Sequence, residues 1–248
     1  MSARIGLMLY TVRGDCARDF RGTLQAVAEL GYEGVELYDL HGHEPARVRE
    51  WLDEFELIPV ARHASLAAIT DALEPLAEEL AVLGMGKLVL SWIEPPRTAG
   101  DATAAAATLR GAAMAAAQIG LELGFHNHDA EVIALEDGRT TLDHLLEGPV
   151  FLEIDLGWTW WAGVDPVEVL EWAAGRVPLV HVKDFAARGV RDFRPVGDGG
   201  IDFDRVVPAA VAAGAEWLLV EQDETEGPAL AACARSIDAL RRIAGVAA

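Results

Sequence analysis

The chain has 248 residues, 52% hydrophobic and 24% charged, which suits one domain, residues 1–248, with a substantial core. Against 40 Asp and Glu stand 20 Lys and Arg, a formal net charge of −20, which argues against nucleic acid as a partner. No apolar run reaches the ~18–20 residues of a bilayer crossing. The short N-terminal apolar run is interrupted by Arg13 and Asp15 with no small-residue cleavage site after it, so the expectation is a cytoplasmic protein without a membrane partner. Two cysteines, Cys16 and Cys233, are too few for a disulfide framework or a Cys-based zinc site.

In chain order, RIGLMLY (4–10) reads as a first strand. Phe20, Leu24, Val27 and Leu30 follow at helical spacing, with Gly31 as the stop. GVELYDL (34–40) is the second strand, before a helix over 44–55. LIPVARHA (57–64) is the third, before a helix over 66–83 that Pro75 breaks or kinks. KLVLSW (87–92) is the fourth, and the Ala-rich 102–119 is a helix on propensity. LELGFHNH (121–128) is the fifth, with a short helix near 141–146. FLEID (151–155), a Trp-rich loop, a helix over 165–173 opened by Pro166, and PLVHVKD (178–184) give strands six and seven. A helix over 204–213, EWLLVEQD (216–223) and a last helix over 227–244 complete eight strands and eight helices.

The phrase of helix, glycine, short gap and apolar strand recurs at AELGYEGVEL, AVLGMGKLVL, AQIGLELGF and VAAGAEWLLV. The strands are near-continuous apolar runs, as when both faces are covered. Regular alternation at this length favours a (β/α)8 TIM barrel over a doubly wound sheet, and LYTVRGD after the first strand offers no GxGxxG turn.

In such a barrel, chemistry belongs to the C-terminal strand ends. Those ends carry Tyr10, Glu36, His63, Trp92 and Glu94, then His126, Asn127, His128 and Glu131, then Asp155, His181, Lys183 and Glu221. Alternation puts Glu153 and Asp155 on one face of strand six, and His181 and Lys183 on one face of strand seven. Charges inside apolar strands must be paired, metal-bound or solvated, because isolated burial costs several kcal/mol. Asp155, His181 and Glu221, on consecutive strands, form a mixed O/N set suited to one divalent ion: Mn²⁺, Co²⁺, Mg²⁺ or Zn²⁺. The fourth ligand is Glu131 or His126, with Glu131 preferred as completing an acidic set. Bland readings compete. Asp155 fits a cap on the next segment, and His181 a satisfied core histidine. Glu36 fits an ion pair with Arg13 or another mouth group as well as a substrate contact. Tyr10 suits packing, and His41 and His43 suit solvent. One of Trp158, Trp160 and Trp161 walls the pocket.

The runs GFHNHDAEV, DLGWTWWAGVDPVEVL, HVKD and VGDGGIDFDRVVPAAVAAGAEWLLVEQDE, with LYTVRGD and GYEGVEL near the start, resemble the sugar phosphate isomerase/epimerase group of the xylose isomerase-like barrels. The resemblance covers essentially the whole chain. It implies a metal held by Asp155, His181 and Glu221 plus a strand-five residue. There this chain reads FHNH where the group has an ENH-like run, so Glu131 or His126 takes that place. His63 resembles a pocket-facing strand-three histidine. Dimers are common in such families, so a homodimer is an expectation from the resemblance.

The leading expectation is a metal-dependent isomerase or epimerase acting on a sugar, ketose or related polyol through an ene-diolate. Glu131, Glu221 or His126 moves the proton, and His63, Lys183, Trp158, His128 and Glu36 contact substrate. The rival is a dehydratase, as in inosose dehydratase, expelling a β-hydroxyl from the same ene-diolate. DNA repair of the endonuclease IV kind is disfavoured by charge, and a non-catalytic sugar-binding barrel is the bland alternative.

Overall fold

The short apolar segments become strands and the longer amphipathic ones helices, in the alternation the sequence implies. A computed structural model describes residues 3–243. Strands β1 (Arg4–Met8), β2 (Gly34–Leu37), β3 (Ile58–Ala64), β4 (Lys87–Leu90), β5 (Glu122–His126), β6 (Phe151–Asp155) and β7 (Leu179–Val182) run in parallel. A two-stranded hairpin, β8 (Asp184–Phe185) and β9 (Phe193–Arg194), leads on to β10 (Trp217–Val220). Pairing of β10 with both β7 and β1 closes an eight-stranded parallel barrel. This is the (β/α)8 fold.

Outside it, helices bury apolar stripes against the strands. Phe20–Glu29 buries Phe20, Leu24 and Val27, and the Asp19 side chain caps it by accepting the Gly22 N–H at 2.9 Å. The Ala-rich helix is Ala99–Gln118, three residues earlier than its composition indicates. A capping box starts it, in which Thr98 and Asp101 each accept the other's backbone N–H. The break near Pro75 falls at Ala72, between Leu66–Asp71 and Leu73–Leu83, which leaves Pro75 in a first turn where no N–H is needed. The segment read as a Trp-rich loop is a helix, Leu156–Trp161. The last helix is Ala229–Ile243, and the Ala244 end expected for it lies outside the described residues. The structure also shortens most strands. β1 gives way to a 3-10 turn at Leu9–Val12, and β5 ends at His126.

Two layers fill the barrel. The lower one packs Val60, Ala61, Val89, Phe151, Leu179, Trp217 and Leu219 as a separate apolar cluster. Gly124 makes room for it, since a Cβ there would lie 2.2 Å from the Phe151 ring. Above lie buried Glu36, His63, His126, Glu153 and His181, with Asp155, Lys183 and Glu221 at the C-terminal edge. Among the described residues, no helix is long and apolar enough to cross a membrane.

Candidate metal centre

The register of β5, β6 and β7 sets His126 opposite Glu153 and Asp155 opposite His181. Because inward residues alternate along each strand, Glu153 lies one layer below Asp155, and His126 and His181 fall between the two carboxylate levels. One ligand atom each from His126, Asp155, His181 and Glu221 all lie within 4.8 Å of one another. That span is close to twice a ~2.2 Å ligand bond.

Asp155 uses its two oxygens differently. Oδ1 accepts the Trp158 backbone N–H at 2.7 Å and so caps the Trp-rich helix. Oδ2, fully buried, lies 3.0 Å from Lys183 Nζ and has no directed hydrogen bond. The capping reading thus describes one oxygen of this carboxylate, and the other is left facing the Lys183 ammonium. The strand-five amide helps to fix it, as Asn127 Oδ1 accepts the Asp155 N–H at 3.0 Å.

His181 is bonded on both nitrogens. Nδ1 donates to Glu221 Oε2 at 2.8 Å and Nε2 to Glu36 Oε2 at 2.7 Å. Burial disfavours its charged form, but Glu153, Glu221 and Glu36 outweigh burial and raise its pKa well above the ordinary histidine value. At His63 burial is likewise outweighed, here by Glu36 and Glu153, and the pKa rises to about 10. His63 Nε2 sits 2.7 Å from Glu153 Oε2 and 3.3 Å from Glu36 Oε1. Burial alone would raise Glu36, but the cations of His63 and His181 hold it below the usual carboxylate range. His126 lacks such compensation: burial first, then His181, keeps it neutral. A neutral imidazole beside a buried carboxylate oxygen that takes no directed hydrogen bond is a donor set that fits a divalent cation.

Lys183 is held by three carboxylates: Glu221 at 2.8 Å, Asp155 at 3.0 Å and Asp223 at 3.0 Å. They outweigh burial and raise its pKa. Asp155 shifts upward as well, to about 6, because at that position burial outweighs the attraction of Lys183.

Above the cluster opens a cavity of about 800 Å³, lined by His63, His126, His128, Glu131, Trp158, Lys183, Glu221 and Asp223, with Tyr10, Tyr38, Trp92 and Arg191 among its outer residues. The expected residues therefore converge, with two differences. Glu131 lines the cavity but stays outside the four-atom group. The chain past β5 turns into a short 3-10 segment, Ala130–Val132, and Glu131 Oε2 accepts the His128 N–H at 2.8 Å. A His126 nitrogen lies in that four-atom group. Glu36, expected to contact substrate or to pair with Arg13, is fully buried below the cavity on His181 and His63; Arg13 donates to the Tyr10 carbonyl. His41 bonds the Tyr38 hydroxyl and, like His43, packs on Phe20, away from the centre. Cys16 and Cys233 are buried, unpaired thiols. Glu153 and Asp223 belong to the site although their residue types alone did not single them out. Strand alternation placed Glu153 beside Asp155, whereas Asp223 lies past the end of β10, where no periodicity applies.

An eight-stranded parallel barrel whose C-terminal edge gathers buried carboxylates and histidines under one cavity has the layout of a TIM-barrel enzyme superfamily. The chain belongs to the xylose isomerase-like TIM barrel family, whose model matches residues 24–243. It is 25% identical to the inosose dehydratase of Geobacillus kaustophilus over 247 residues, covering 81% of this chain and 79% of that one. To the inosose dehydratase of Clostridium perfringens it is 30% identical over 130 residues, 45% of this chain and 43% of the other. Among solved structures it is similar to a sugar phosphate isomerase/epimerase from Parabacteroides distasonis (TM-score 0.84, 18% identity, 97% of this chain and 96% of that one). An L-ribulose 3-epimerase gives a TM-score of 0.73 at 18% identity, over 98% of this chain and 95% of the other. At these identities the structural likeness shows the fold.

Proposed function

We propose that the protein is a divalent-metal-dependent enzyme that removes a proton beside the carbonyl of a sugar- or polyol-derived keto compound and then expels a β-hydroxyl as water. His126, Asp155, His181 and Glu221 hold the ion, one of Mn²⁺, Co²⁺, Mg²⁺ or Zn²⁺. Such an ion supplies Lewis-acid stabilisation of the negative charge that develops on the substrate oxygens. Glu131 is the base. Burial raises its pKa, opposed by the bond from His128, which moves a carboxylate toward the range useful for proton transfer at neutral pH. As the proton passes to Glu131, the C–H electron pair forms a double bond to the carbonyl carbon and the carbonyl pair moves onto oxygen. That pair then re-forms the carbonyl, the double bond shifts to the α–β position as the β-carbon–oxygen bond breaks, and the departing hydroxyl takes a proton from Lys183, whose ammonium lines the same cavity. Trp158, its ring facing both Lys183 and Arg191, and His128 wall the substrate. His63 lines the cavity floor.

The observation that carries elimination is the strand-five position. Epimerisation by two carboxylates needs one on each face of the substrate, and here the strand-five member of the ion-holding group is His126, not a carboxylate. The two inosose dehydratases support the same reading. Isomerase or epimerase chemistry on a ketose is the second reading, favoured by the ketose epimerase among the structural neighbours.

Turnover of a panel of inososes and ketoses, read by mass spectrometry, separates the two. Elimination lowers the product mass by one water, whereas isomerisation leaves it unchanged. Activity is expected to vanish with EDTA and return with Mn²⁺ or Co²⁺; a chelator-insensitive enzyme contradicts the metal assignment. Glu131→Gln should lower kcat about 10²–10⁴-fold and leave Mn²⁺ affinity unchanged.

A further inference from the structure

Below the ion-holding group lies a second tier that the proposed reaction does not use. His181 and His126 each face both tiers. His181 turns Nδ1 up to Glu221 and Nε2 down to Glu36. His126 turns Nε2 toward Asp155 Oδ2, 4.0 Å away, and Nδ1 down to Glu153 Oε2 at 3.2 Å. The two rings lie 4.4 Å apart, tilted by 50°. Glu36 and Glu153 are fully buried, and Oε1 of each has no directed hydrogen bond.

We propose that Glu36 and Glu153 are positioning residues that hold His181 and His126 from beneath, so that each ring presents its upper nitrogen, unprotonated, to a cation beside Asp155 and Glu221. This rests on the metal reading above. A ring nitrogen ligates only when it carries no proton, and the hydrogen bond at the other nitrogen fixes which one is free. Glu36 therefore selects the His181 tautomer protonated at Nε2, and Glu153, the carboxylate nearest Nδ1 at 3.2 Å although without a directed hydrogen bond, favours His126 protonated there. His63, stacked on His181 at 5.5 Å, lies between the two carboxylates, 2.7 Å from Glu153 Oε2 and 3.3 Å from Glu36 Oε1, and ties them together.

His63, His126, Glu153 and His181 also bring ligand atoms within 4.8 Å of one another, which invites a second ion in the lower tier. Two ions would require both shared histidines to lose both ring protons and bridge. One ion above and protons below needs only neutral imidazoles, the ordinary form of a histidine ligand.

The test is titration of the metal-free protein with Co²⁺, followed by calorimetry and by the visible absorption of bound Co²⁺. Wild type should bind one ion per chain. Glu36→Gln and Glu153→Gln should each weaken binding about 10–100-fold and change the absorption band, while circular dichroism stays that of the wild type. In the Zn²⁺-loaded wild type, ¹H–¹⁵N spectra should show His181 protonated at Nε2 and His126 at Nδ1, a readout that needs no variant to fold. If wild type binds one ion and both variants match it in affinity and spectrum, the positioning role is overturned and the metal reading stands. The opposite tautomers, or two ions per wild-type chain, also overturn it. If wild type binds no Co²⁺, both the metal reading and the inference fall.

Discussion

The two halves of the barrel interior are made by the same strands and solve opposite problems. Below, Phe151, Leu179, Trp217 and Leu219 fill space, and stability there follows shape. Above, Glu36, His63, Glu153 and His181 are just as buried, and stability there follows charge pairing. A single strand spans both regimes: in β6, Phe151 packs, Glu153 pairs and Asp155 reaches the site, each two residues from the last. The barrel thus holds a polar, chemically competent layer on an apolar floor, and a substitution has consequences set by which half it falls in.

The sharpest break is expected in the upper half, at Lys183→Met. Removing the ammonium leaves Asp155, Glu221 and Asp223 facing one another, and urea unfolding of the metal-free protein should show a loss of about 3–5 kcal/mol. A loss under 1 kcal/mol would mean that these carboxylates are already solvated or protonated.

His63 tests the same layer through pH. Its folded-state pKa is raised to about 10 from an ordinary 6.5, so the folded state holds the proton more tightly than the unfolded chain. The stabilisation is fully present below about pH 6.5 and is lost as the pH rises through 10. The advantage of metal-free wild type over His63→Gln in thermal unfolding should therefore shrink from pH 6 to pH 10. A pH-independent difference would refute the ion pair.

In the lower half, effects should be smaller and leave the candidate ion site alone. Gly124→Ala drives a methyl against the Phe151 ring and should cost about 1–3 kcal/mol by overpacking, with Co²⁺ affinity unchanged. Phe151→Leu keeps most of the volume and should cost less than about 1.5 kcal/mol. If either weakened Co²⁺ binding tenfold, the two halves would not be independent.

Much of this was legible in one dimension. Apolar runs alternating with helical spacings, four of the junctions marked by a glycine, determined eight parallel strands, because local propensity and burial pattern agree along nearly the whole chain. The strand ends named Asp155, His181, Lys183 and Glu221, since charged side chains in apolar strands need a common reason. Only the tertiary structure chose His126 over Glu131 as the close neighbour of Asp155, His181 and Glu221. That choice depends on where β5 stops and how the following turn aims Glu131 at the His128 N–H, which no periodicity encodes. It also decided that Glu36 lies beneath the site and that Glu153 joins it, because the barrel's register, a long-range property, stacks residues of different strands into layers. The sequence by itself determined which side chains must be buried together; the closing of the barrel decided which nitrogen and which oxygen face each other.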